Sequence, residues 1–411
     1  MIKNKYNIFL IPSWYPSEDS PIRGIFIKEQ AEALVENFGD RFNIIVSDWG
    51  FNDSELSFRN VKDALSKFIR YLKKEKNRIE QINGVYYISN PYLNISEKVP
   101  YFGSFDRFNE VNLKNIRCVE REIGKIDLIH AHVCFPAGYS AYKLSQHISL
   151  PYVITEHMGP FPWPRYIRDG EPIKEIRLAA THANALVPVS DALSEEMKKL
   201  GYKRRVVIPN FVNEEQFKPM PVTKKSKYQF FSLCSLETAK GVGDLLKAIK
   251  KWDPDPMTVS FVIGGDGEKR EYFHAMSKKL GINSLITWAG AIPRDYVAEY
   301  MNRCDAFVLP SHHESFGIVF IEALACGKPV IATKCGGPES IVTDNNGRLV
   351  DVGDIEGLAT MMKWFYHNSN EFDPEIIRND FLMRFSKRAT TKRIISLYES
   401  IIQNKNLPVT K

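Results

Sequence analysis

Short apolar segments alternate with helix-forming segments along all 411 residues of the chain. Apolar runs of this kind, rich in β-branched residues, indicate strands that are buried on both faces, as in parallel sheets. The runs lie at 8–12, 43–46, 127–131, 152–155 and 185–189 in the first half, and at 230–233, 259–263, 306–309 and 330–333 in the second. This order predicts an α/β fold in which each half builds its own doubly wound sheet with helices on both faces.

The length of the chain favours two domains, since a single hydrophobic core stops growing near about 250 to 300 residues. The segment 219–227 carries prolines and lysines in place of apolar periodicity, so we expect the connection between the domains there. The predicted domains are therefore 1–218 and 219–385. A cleft between two such sheets is the expected position of an active site.

The composition is that of an ordinary globular protein, with 44% hydrophobic and 25% charged residues. No apolar run approaches the roughly 18 residues of a membrane span, and the segment 8–12 is too short for the core of a signal peptide. The six cysteines show no C-x-x-C spacing, which favours reduced thiols over a zinc site. We therefore expect a cytoplasmic protein. The net charge of +6, without a nucleic-acid motif, does not predict nucleic-acid binding.

The segment 311–337 carries most of the functional information. Ser315 can cap the apolar helix that follows it, and Gly317 allows a ligand to approach the backbone closely. The free amides in the first turn of such a helix favour an anion. Glu314 and Glu322 fall about two turns apart on a similar face, and two carboxylates beside an anion site suggest recognition of hydroxyl groups. The alternative is a helix cap at Glu314 and an incidental buried carboxylate at Glu322.

The same segment continues as a strand at 330–333 and a glycine turn at 336–337. It resembles glycosyltransferase family 4, whose signature is Glu-x7-Glu followed by G-x-P-V-I-A-T and G-G-x-x-E. Other segments follow the family's order and extend the resemblance over nearly the whole chain: 206–213 with 217–219, 240–241, 263–267 and 306–311. The family has the GT-B fold, in which two doubly wound Rossmann-like domains face each other across a cleft. Its C-terminal helix, here 386–411, crosses back to the first domain.

The resemblance implies a retaining glycosyltransferase whose donor is a nucleoside diphosphate sugar. Glu322 would accept hydrogen bonds from the ribose hydroxyls and Glu314 from hydroxyls of the transferred sugar, because a carboxylate can accept from two neighbouring hydroxyls. Lys240 would stabilise the departing diphosphate together with backbone amides. Those amides belong to Phe316, Gly317, Ile318 and Val319. Outside the family, a lysine before a glycine would indicate only a solvated helix start.

Two further donor contacts follow from the family pattern. Ile292 lies in a loop that would select the nucleotide base through backbone contacts. Ser235 stands where the family usually carries an arginine, five residues before the lysine, and a serine hydroxyl binds phosphate more weakly than a guanidinium. Either another basic residue replaces that arginine or the donor binds differently. This departure keeps a non-catalytic nucleotide-sugar-binding subunit among the alternatives.

Gly24 and His157 are the candidate donor contacts of the first domain. Gly24 lies in the loop after the first strand and resembles the family's glycine near the donor phosphate, although a lone loop glycine also suits an ordinary turn. His157 follows a buried strand and resembles the family's histidine that contacts the donor sugar. We therefore group His157 with Glu314 and Lys240 as the candidate catalytic residues.

The three histidines at strand ends leave a second interpretation open. His130 and His132 could ligate a metal together with His157, because imidazole nitrogens are common metal ligands. We favour packing at the strand ends or substrate contact. The family needs no cofactor and no metal ion to bind the diphosphate, so we expect no metal site.

The acceptor is the least constrained part of the prediction. The loop 159–166 is rich in proline and aromatic residues, and Trp163 and Tyr166 are the candidate acceptor contacts because aromatic rings stack on sugar faces. A rigid loop that packs on its own domain is the alternative. The segment 61–82 carries apolar residues at helical spacing among lysines and arginines, which predicts a basic amphipathic helix. It would lie on an anionic inner membrane near a lipid-linked acceptor, or else cover the sheet as a solvated helix.

The predicted function is transfer of a sugar to a glycan or lipid-linked acceptor in the synthesis of a cell-envelope polysaccharide such as capsule, exopolysaccharide or lipopolysaccharide. A front-face reaction, in which the donor phosphate takes the proton of the acceptor, needs no protein nucleophile. The alternatives are a GT-B relative with other chemistry, such as a sugar-nucleotide epimerase or a phosphorylase, and the non-catalytic binding subunit.

Overall fold

The fold is that of a computed structural model, which describes residues 5–17, 20, 23–49, 61–73, 76–91, 105–222 and 226–403. The chain forms two compact units. The first contains the described residues up to Val189, then Ser194–Ile208 and the residues from Thr391 onward, and the second contains Ser190–Leu193 and Pro209–Thr390.

A seven-stranded sheet forms the centre of the first unit, and a two-stranded hairpin of β7 and β8 lies apart from it. The strands are β1 (Tyr6–Pro12), β2 (Phe42–Asp48), β3 (Arg78–Ile82), β4 (Val85–Ser89), β5 (Leu128–His132), β6 (Tyr152–Glu156), β7 (Ile167–Arg168), β8 (Glu171–Pro172) and β9 (Ala185–Pro188). Their order in the large sheet is β3-β4-β2-β1-β5-β6-β9, and all neighbours are parallel except β3 and β4. All five residues of β5 and of β6 are buried, as expected for central parallel strands.

The second unit contains a six-stranded sheet in which every neighbouring pair is parallel. Its strands are β10 (Tyr228–Leu233), β11 (Val259–Gly264), β12 (Ile286–Gly290), β13 (Ala306–Leu309), β14 (Val330–Thr333) and β15 (Gly347–Val350). Their order is β12-β11-β10-β13-β14-β15. The strands predicted in both halves are confirmed, and the sequence pattern missed β3, β4, β12 and β15 as well as the short β7 and β8.

Helices connect the strands of both sheets. Those that precede β10 are α1 (Ile25–Phe38), α2 (Val61–Lys73), α3 (Phe105–Glu122), α4 (Tyr139–Ile148), α5 (Lys174–His182) and α6 (Asp191–Lys199). Those that follow it are α7 (Val242–Trp252), α8 (Arg270–Lys279), α9 (Arg294–Arg303), α10 (Ile318–Ala325), α11 (Ile355–His367), α12 (Pro374–Phe385) and α13 (Lys387–Ile402). The last eight residues of the helix predicted over 386–411 lie outside the described residues.

The helix predicted over 61–82 is wrong in its last part. α2 ends at Lys73, and residues 78–82 form β3, which pairs with β4 in an antiparallel hairpin. Asn83 and Gly84 have φ angles of 49° and 79°, and a two-residue hairpin turn needs such positive values. The apolar residues Ile79 and Ile82 continue the helical spacing of α2, but the Asn-Gly pair beside them favours a hairpin.

The segment 209–218, which we predicted as the end of the first domain, clusters with the second unit. Backbone hydrogen bonds and one arginine hold it there. Val212 N–H donates to Phe385 O over 3.2 Å, and the Arg378 guanidinium donates to Phe217 O at 2.7 Å and to Glu214 O at 2.9 Å. The boundary therefore falls about ten residues before the proline-rich segment, because α12 fixes this part of the chain.

The C-terminal part of α13 packs within the first unit. The Tyr398 side chain is fully buried, and its hydroxyl lies 2.6 Å from His130 Nδ1. Arg41 forms an ion pair with Glu399 at 2.6 Å. These contacts fix α13 against residues of β5 and of the loop between α1 and β2.

The direction in which strands are added reverses once in each sheet, between β1 and β5 and between β10 and β13. Doubly wound sheets bind ligands outside the carboxyl ends of the strands at such a reversal. Gly24 and His157 follow β1 and β6 in the first unit, and Lys240 and Glu314 follow β10 and β13 in the second. The sheet topology therefore places the predicted residues in segments that follow the carboxyl ends of strands beside these reversals.

Candidate active site

The structure brings Lys240 and Glu314 into direct contact in the second unit. Lys240 Nζ lies 2.8 Å from Glu314 Oε1, and their side chains are 26% and 12% exposed. The two loops meet at a glycine: a Cβ on Gly241, whose φ is 68°, would lie only 1.7 Å from Pro310 O. The backbone also connects them, because His312 N–H donates to Ala239 O over 2.8 Å. Close packing of the two loops thus creates the ion pair.

Glu314 is held by further contacts on both its side chain and its backbone. Ser311 Oγ donates to Glu314 Oε1 over 2.9 Å. Gly337 N–H donates to Glu314 O at 2.7 Å, and Glu314 N–H donates to Cys335 O at 3.2 Å. The glycine turn of the signature therefore positions Glu314, and Ser311 is a partner that the sequence analysis did not single out.

α10 begins at Ile318 with Gly317 at the N-cap position, so Ser315 is not its cap. Gly317 has a φ of 98° and no side chain caps the helix, while Ser315 uses its backbone oxygen to accept a hydrogen bond from Ser190 Oγ at 2.6 Å. The amides of Ile318 and Val319 belong to the first turn, where a helix offers donors without intrahelical partners. The Phe316 side chain is buried, so only its backbone can serve a ligand.

Glu322 is buried in the second turn of α10 and forms an ion pair that the sequence analysis missed. Arg294 Nη1 lies 3.0 Å from Glu322 Oε1, and the side chains are 28% and 4% exposed. The Arg294 guanidinium lies 5.7 Å from the centroid of the Phe217 ring. Both predicted carboxylates are therefore paired with a cation, and their roles toward a donor stay predictions.

The loops that carry Ile292 and Ser235 lie on either side of the glycine turn after β11. Ile292 Cδ1 occupies the space above Gly264, where a Cβ would approach it to 2.5 Å. A Cβ on Gly265 would lie 1.8 Å from Cys234 O, beside Ser235. Ser235 is exposed, and its backbone oxygen accepts from Glu237 N–H at 2.8 Å. The turn thus needs glycine because neighbouring loops approach its backbone.

Two thiols lie near the Lys240–Glu314 pair and stay protonated at neutral pH. Burial raises the pKa of Cys234 to about 12, and Lys240 opposes this shift while Glu314 adds to it. Burial likewise raises the pKa of Cys335 to about 11. A nucleophilic thiolate needs a lowered pKa, so these cysteines do not have the chemistry of covalent catalysts.

In the first unit, Gly24 and His157 lie at neighbouring places. Gly24 has a φ of 75° and precedes α1, and a Cβ there would lie 2.7 Å from Trp14 O. Phe26, in the first turn of α1, contacts the His157 ring with a centroid separation of 4.5 Å. The loop after β1 and the loop after β6 therefore meet beside His157.

A row of imidazoles stands behind His157. His132 Nδ1 lies 3.1 Å from His157 Nε2, and the rings of His130 and His132 stack at 4.4 Å. His130 also contacts Thr155 Oγ1 at 2.7 Å. Burial lowers the pKa of His130 to about 3 and holds the pKa of His132 well below 6.5, so both rings are neutral at physiological pH.

The metal interpretation of these histidines gains no support from the geometry. Both ring nitrogens of His130 are used in hydrogen bonds with Tyr398 and Thr155. Within the described part of the chain, no group of three or more His, Cys, Asp or Glu side chains is arranged to hold a metal ion. The row packs at the strand ends, which is one of the two interpretations favoured from the sequence, and contact with a substrate stays a prediction.

A fully buried carboxylate, Glu156, fixes the turn that carries His157. Its oxygens accept from Cys134 N–H at 2.9 Å, His157 N–H at 3.0 Å and Met158 N–H at 2.9 Å. Burial raises the pKa of Glu156, and the three amide hydrogen bonds oppose that shift. The sequence analysis did not identify Glu156, whose position inside a buried strand end was the only available sign.

Trp163 and Tyr166 form a half-buried aromatic cluster around Arg165 in the first unit. The Arg165 guanidinium lies 4.7 Å from the centroid of each ring. Tyr166 packs edge-on against Phe135 at 5.3 Å, and Phe161 of the same loop is buried. The loop therefore packs on its own unit and still presents two aromatic rings and a cation at its surface.

Comparisons with known proteins identify related glycosyltransferases. The family model described as glycosyl transferases group 1 matches residues 212–383, and the model described as Glycosyltransferase Family 4 matches residues 70–216. A putative teichuronic acid biosynthesis glycosyltransferase, TuaC of Bacillus subtilis, is 27% identical over 88% of this chain and 89% of its own length. N-acetyl-alpha-D-glucosaminyl L-malate synthase of Bacillus anthracis is 26% identical over 67% of this chain and 74% of its own.

Solved structures share the fold at low sequence identity. Sucrose-phosphate synthase from Thermosynechococcus elongatus matches with a TM-score of 0.72 and 18% identity, covering 98% of this chain and all of that one. Anabaena Alr3699/HepE in complex with UDP matches with a TM-score of 0.70 and 18% identity, covering 96% of this chain and all of that one. Two Rossmann-like units with these strand-end loops define an α/β protein of the GT-B class. The chain belongs to the group 1, family 4-like glycosyltransferases.

Proposed function

We propose that this glycosyltransferase transfers a sugar, with retention of configuration, from a nucleoside diphosphate sugar to a glycan or lipid-linked acceptor in the synthesis of a cell-envelope polysaccharide. The observation that carries the proposal is the contact of Lys240 with Glu314 beside the first turn of α10. The names of relatives support the pathway class, since one is a putative teichuronic acid enzyme and another a lipopolysaccharide core glycosyltransferase, LpsE of Rhizobium meliloti. HepE structures with UDP and with UDP-glucose support the donor class.

In the proposed reaction, the bond between the sugar C1 and the diphosphate oxygen breaks while the acceptor oxygen bonds to C1 on the same face. The acceptor proton passes to the departing diphosphate, so no protein base is needed. Lys240 and the amides of Ile318 and Val319 stabilise the charge that grows on the diphosphate. Glu314 accepts from hydroxyls of the sugar, and Glu322 accepts from hydroxyls of the ribose.

The first unit contributes the remaining proposed contacts. Gly24 lets the donor phosphate approach the backbone, and His157 contacts the donor sugar. Trp163 and Tyr166 stack on the acceptor, with their rings held around Arg165. Because fixed cations and amides of the protein neutralise the diphosphate in this scheme, we expect turnover to persist in EDTA without any cofactor.

We propose that the enzyme works in the cytoplasm at the inner face of the membrane, with α2 as the contact. Leu65, Phe68, Ile69 and Leu72 follow one another at helical spacing and are 41% to 65% exposed. Lys62 and Lys73 of the same helix are exposed as well. An apolar stripe with lysines suits an anionic bilayer. Within the described part of the chain, no helix is long and apolar enough to cross a membrane.

A sedimentation assay tests the membrane contact. We expect the protein to bind vesicles that contain phosphatidylglycerol, and salt to weaken that binding. The double variant Phe68→Ser with Leu72→Ser should lose most of it, whereas Met383→Ser, an exposed methionine on α12, should behave like the wild type. Equal binding by all three proteins would remove α2 from the proposal.

A panel of nucleotide sugars tests the reaction itself. Nucleotide release that depends on a glycan or lipid-linked acceptor supports transfer, and an α-configured product from an α-configured donor supports retention. Conversion of the donor without an acceptor would indicate an epimerase, and sugar phosphate formed in inorganic phosphate would indicate a phosphorylase. Binding of a nucleotide sugar without any turnover would leave only the non-catalytic subunit. The matches to known glycosyltransferases do not favour these alternatives.

A further inference from the structure

Arg294 connects the start of α9 to the buried carboxylate of α10. Its Nη1 lies 3.0 Å from Glu322 Oε1, although the two residues are 28 positions apart in the chain. The Glu322 side chain is almost fully buried, at 4% exposure, whereas the Arg294 side chain is 28% exposed. The ion pair therefore connects a buried carboxylate to a guanidinium that is partly exposed to solvent.

Contacts with neighbouring elements restrain the backbone before Arg294 and its guanidinium. The loop before it is attached to the glycine turn after β11, since Gly265 N–H donates to Gly290 O over 2.7 Å. Farther out, the guanidinium lies 5.7 Å from the centroid of the Phe217 ring, which is completely buried. An arginine already held within about 6 Å of an aromatic ring loses less freedom when it forms an ion pair than an unrestrained one. Arg294 is therefore a preorganised partner for Glu322.

A buried carboxylate remains an anion only where a cation or several donors compensate for the water it has lost. The partners also decide how its oxygens are oriented. A carboxylate has about four lone-pair positions, so an ion pair with an arginine is chemically compatible with hydrogen bonds from two vicinal hydroxyls. Glu322 can thus be held and serve as an acceptor at the same time.

We propose that Arg294 is a positioning residue that keeps the Glu322 carboxylate aimed at the ribose hydroxyls, and that it thereby sets the preference of the site for ribonucleotides. The inference rests on the proposed function, which assigns the ribose to Glu322. It adds a residue and a measurable specificity to that assignment: without Arg294, the site should distinguish ribose from deoxyribose poorly.

Calorimetric titration of the full chain with nucleotides tests the proposal. UDP, GDP and ADP are titrated together with their 2′-deoxy forms, and the pair whose ribonucleotide binds most tightly is used for the variants. We expect the wild type to prefer the ribonucleotide by about tenfold or more, as a hydrogen bond to a charged group implies. In Arg294→Gln this ratio should fall close to one, as in Glu322→Gln, and Arg294→Lys should restore part of it.

Two controls separate positioning from a general structural effect. Arg303 lies at the other end of α9, where it pairs with Glu299 on the surface. The variant Arg303→Gln should therefore keep the wild-type ratio of ribonucleotide to deoxyribonucleotide affinity. The double variant of Arg294 and Glu322 should lose no more discrimination than either single variant, because both act on one contact. Thermal melting of each variant shows whether it is folded.

The outcomes distinguish this inference from the proposed function. A wild-type ratio in Arg294→Gln would overturn the inference, and so would equal weakening of both nucleotides. Neither result depends on turnover, so a failure to transfer sugar would leave the test intact. If the wild type binds none of the three ribonucleotides, the donor site and the role of Arg294 fall together.

Discussion

The two units hold their candidate site residues by opposite electrostatic means. In the second unit, Glu314 and Glu322 are each paired with a cation, at 2.8 Å and 3.0 Å. In the first unit, the buried Glu156 is held by three backbone amides, and the imidazoles of His130 and His132 are neutral. Around these residues, the second unit thus presents charges in pairs, and the first presents a scaffold of neutral imidazoles and backbone amides.

This difference corresponds to two different demands of the proposed reaction. A departing diphosphate accumulates negative charge, which needs a cation already in place. A sugar hydroxyl carries no charge, so it needs a donor or acceptor in a fixed direction. We infer that Lys240 acts by charge and that the residues around His157 act by geometry. Substitutions in the two units should therefore fail in different ways.

The largest effect is expected for Lys240→Met, which removes the cation and keeps the length of the side chain. We predict a fall in kcat of about 100- to 1,000-fold, the usual loss for one group that stabilises a transition state. The KM for the donor should change only a few-fold. Steady-state kinetics with the best donor of the panel measure both values.

Lys247→Met provides the matched control, because Lys247 lies on α7 and forms a surface ion pair with Asp244 at 3.3 Å. Its kcat should stay within about twofold of the wild type, since exposed ion pairs contribute little. If both variants lose activity equally, the second unit does not act through the specific charge of Lys240.

The ion pairs also show where sequence reasoning reaches its limit. Lys240 and Glu314 are candidates from the sequence because their segments resemble the family's motifs, and the glycines beside them mark close approach of the backbone. Arg294 is not, because nothing in an ordinary helix start indicates a partner 28 residues away. Ion pairs between elements depend on tertiary packing, which local patterns do not encode.

The same limit applies differently in the first unit. His157 is a candidate because it follows a buried strand and resembles the family's histidine. Glu156 is one residue earlier, in the strand, and its contacts depend on three amides from two loops. The hairpin of β3 and β4 shows the reverse case. There the Asn83-Gly84 turn was visible in the sequence, and the helical periodicity of α2 was extended across it.

The second prediction concerns the stability of the first unit. Glu156→Gln keeps the shape of the side chain but replaces one acceptor oxygen by a donor, which faces backbone N–H groups. We predict that the free energy of unfolding falls by roughly 2 to 3 kcal/mol, the cost of buried donors that lose their acceptor. Urea unfolding of the full chain measures the change.

The control for Glu156 is Glu195→Gln on α6, where the side chain is 55% exposed. Its free energy of unfolding should change by less than about 0.5 kcal/mol. Equal stability of the Glu156 variant and the wild type would show that backbone contacts do not require this carboxylate, and the proposed scaffold would lose its main support.

The third prediction is a pH dependence that belongs to the neutral imidazoles. The pKa of His130 is about 3 in the folded chain and close to 6.5 when the chain is unfolded. Between these two pKa values, the unfolded state binds a proton that the folded state does not. The stability that comes from keeping His130 neutral is therefore complete above pH 6.5 and is lost as the pH falls towards 3. Below pH 6, the free energy of unfolding should fall by up to roughly 1.4 kcal/mol per pH unit because of His130 alone.

Urea unfolding at pH 7.5, 6.5 and 5.5 tests this dependence. His130→Gln should flatten the decline relative to the wild type, because the variant has no imidazole to protonate at this position. His147→Gln removes an exposed histidine of α4 and should leave the slope unchanged. A slope that is the same in all three proteins would mean that His130 does not have to remain neutral in the fold.

The smallest effect is expected at the acceptor contacts, where no charge has to be stabilised. Trp163→Ala removes one of the two rings held around Arg165, and stacking of one aromatic ring is worth about 1 kcal/mol. We predict an acceptor KM about fivefold higher with kcat and the donor KM unchanged, and near-normal values for Trp163→Phe. Because stacking is not an ionic interaction, raising the salt concentration should weaken binding of the donor diphosphate more than binding of the acceptor. A Trp163→Ala variant that loses kcat would instead place this loop at the reacting atoms, and the division between a charged unit and a geometric unit would have to be drawn elsewhere.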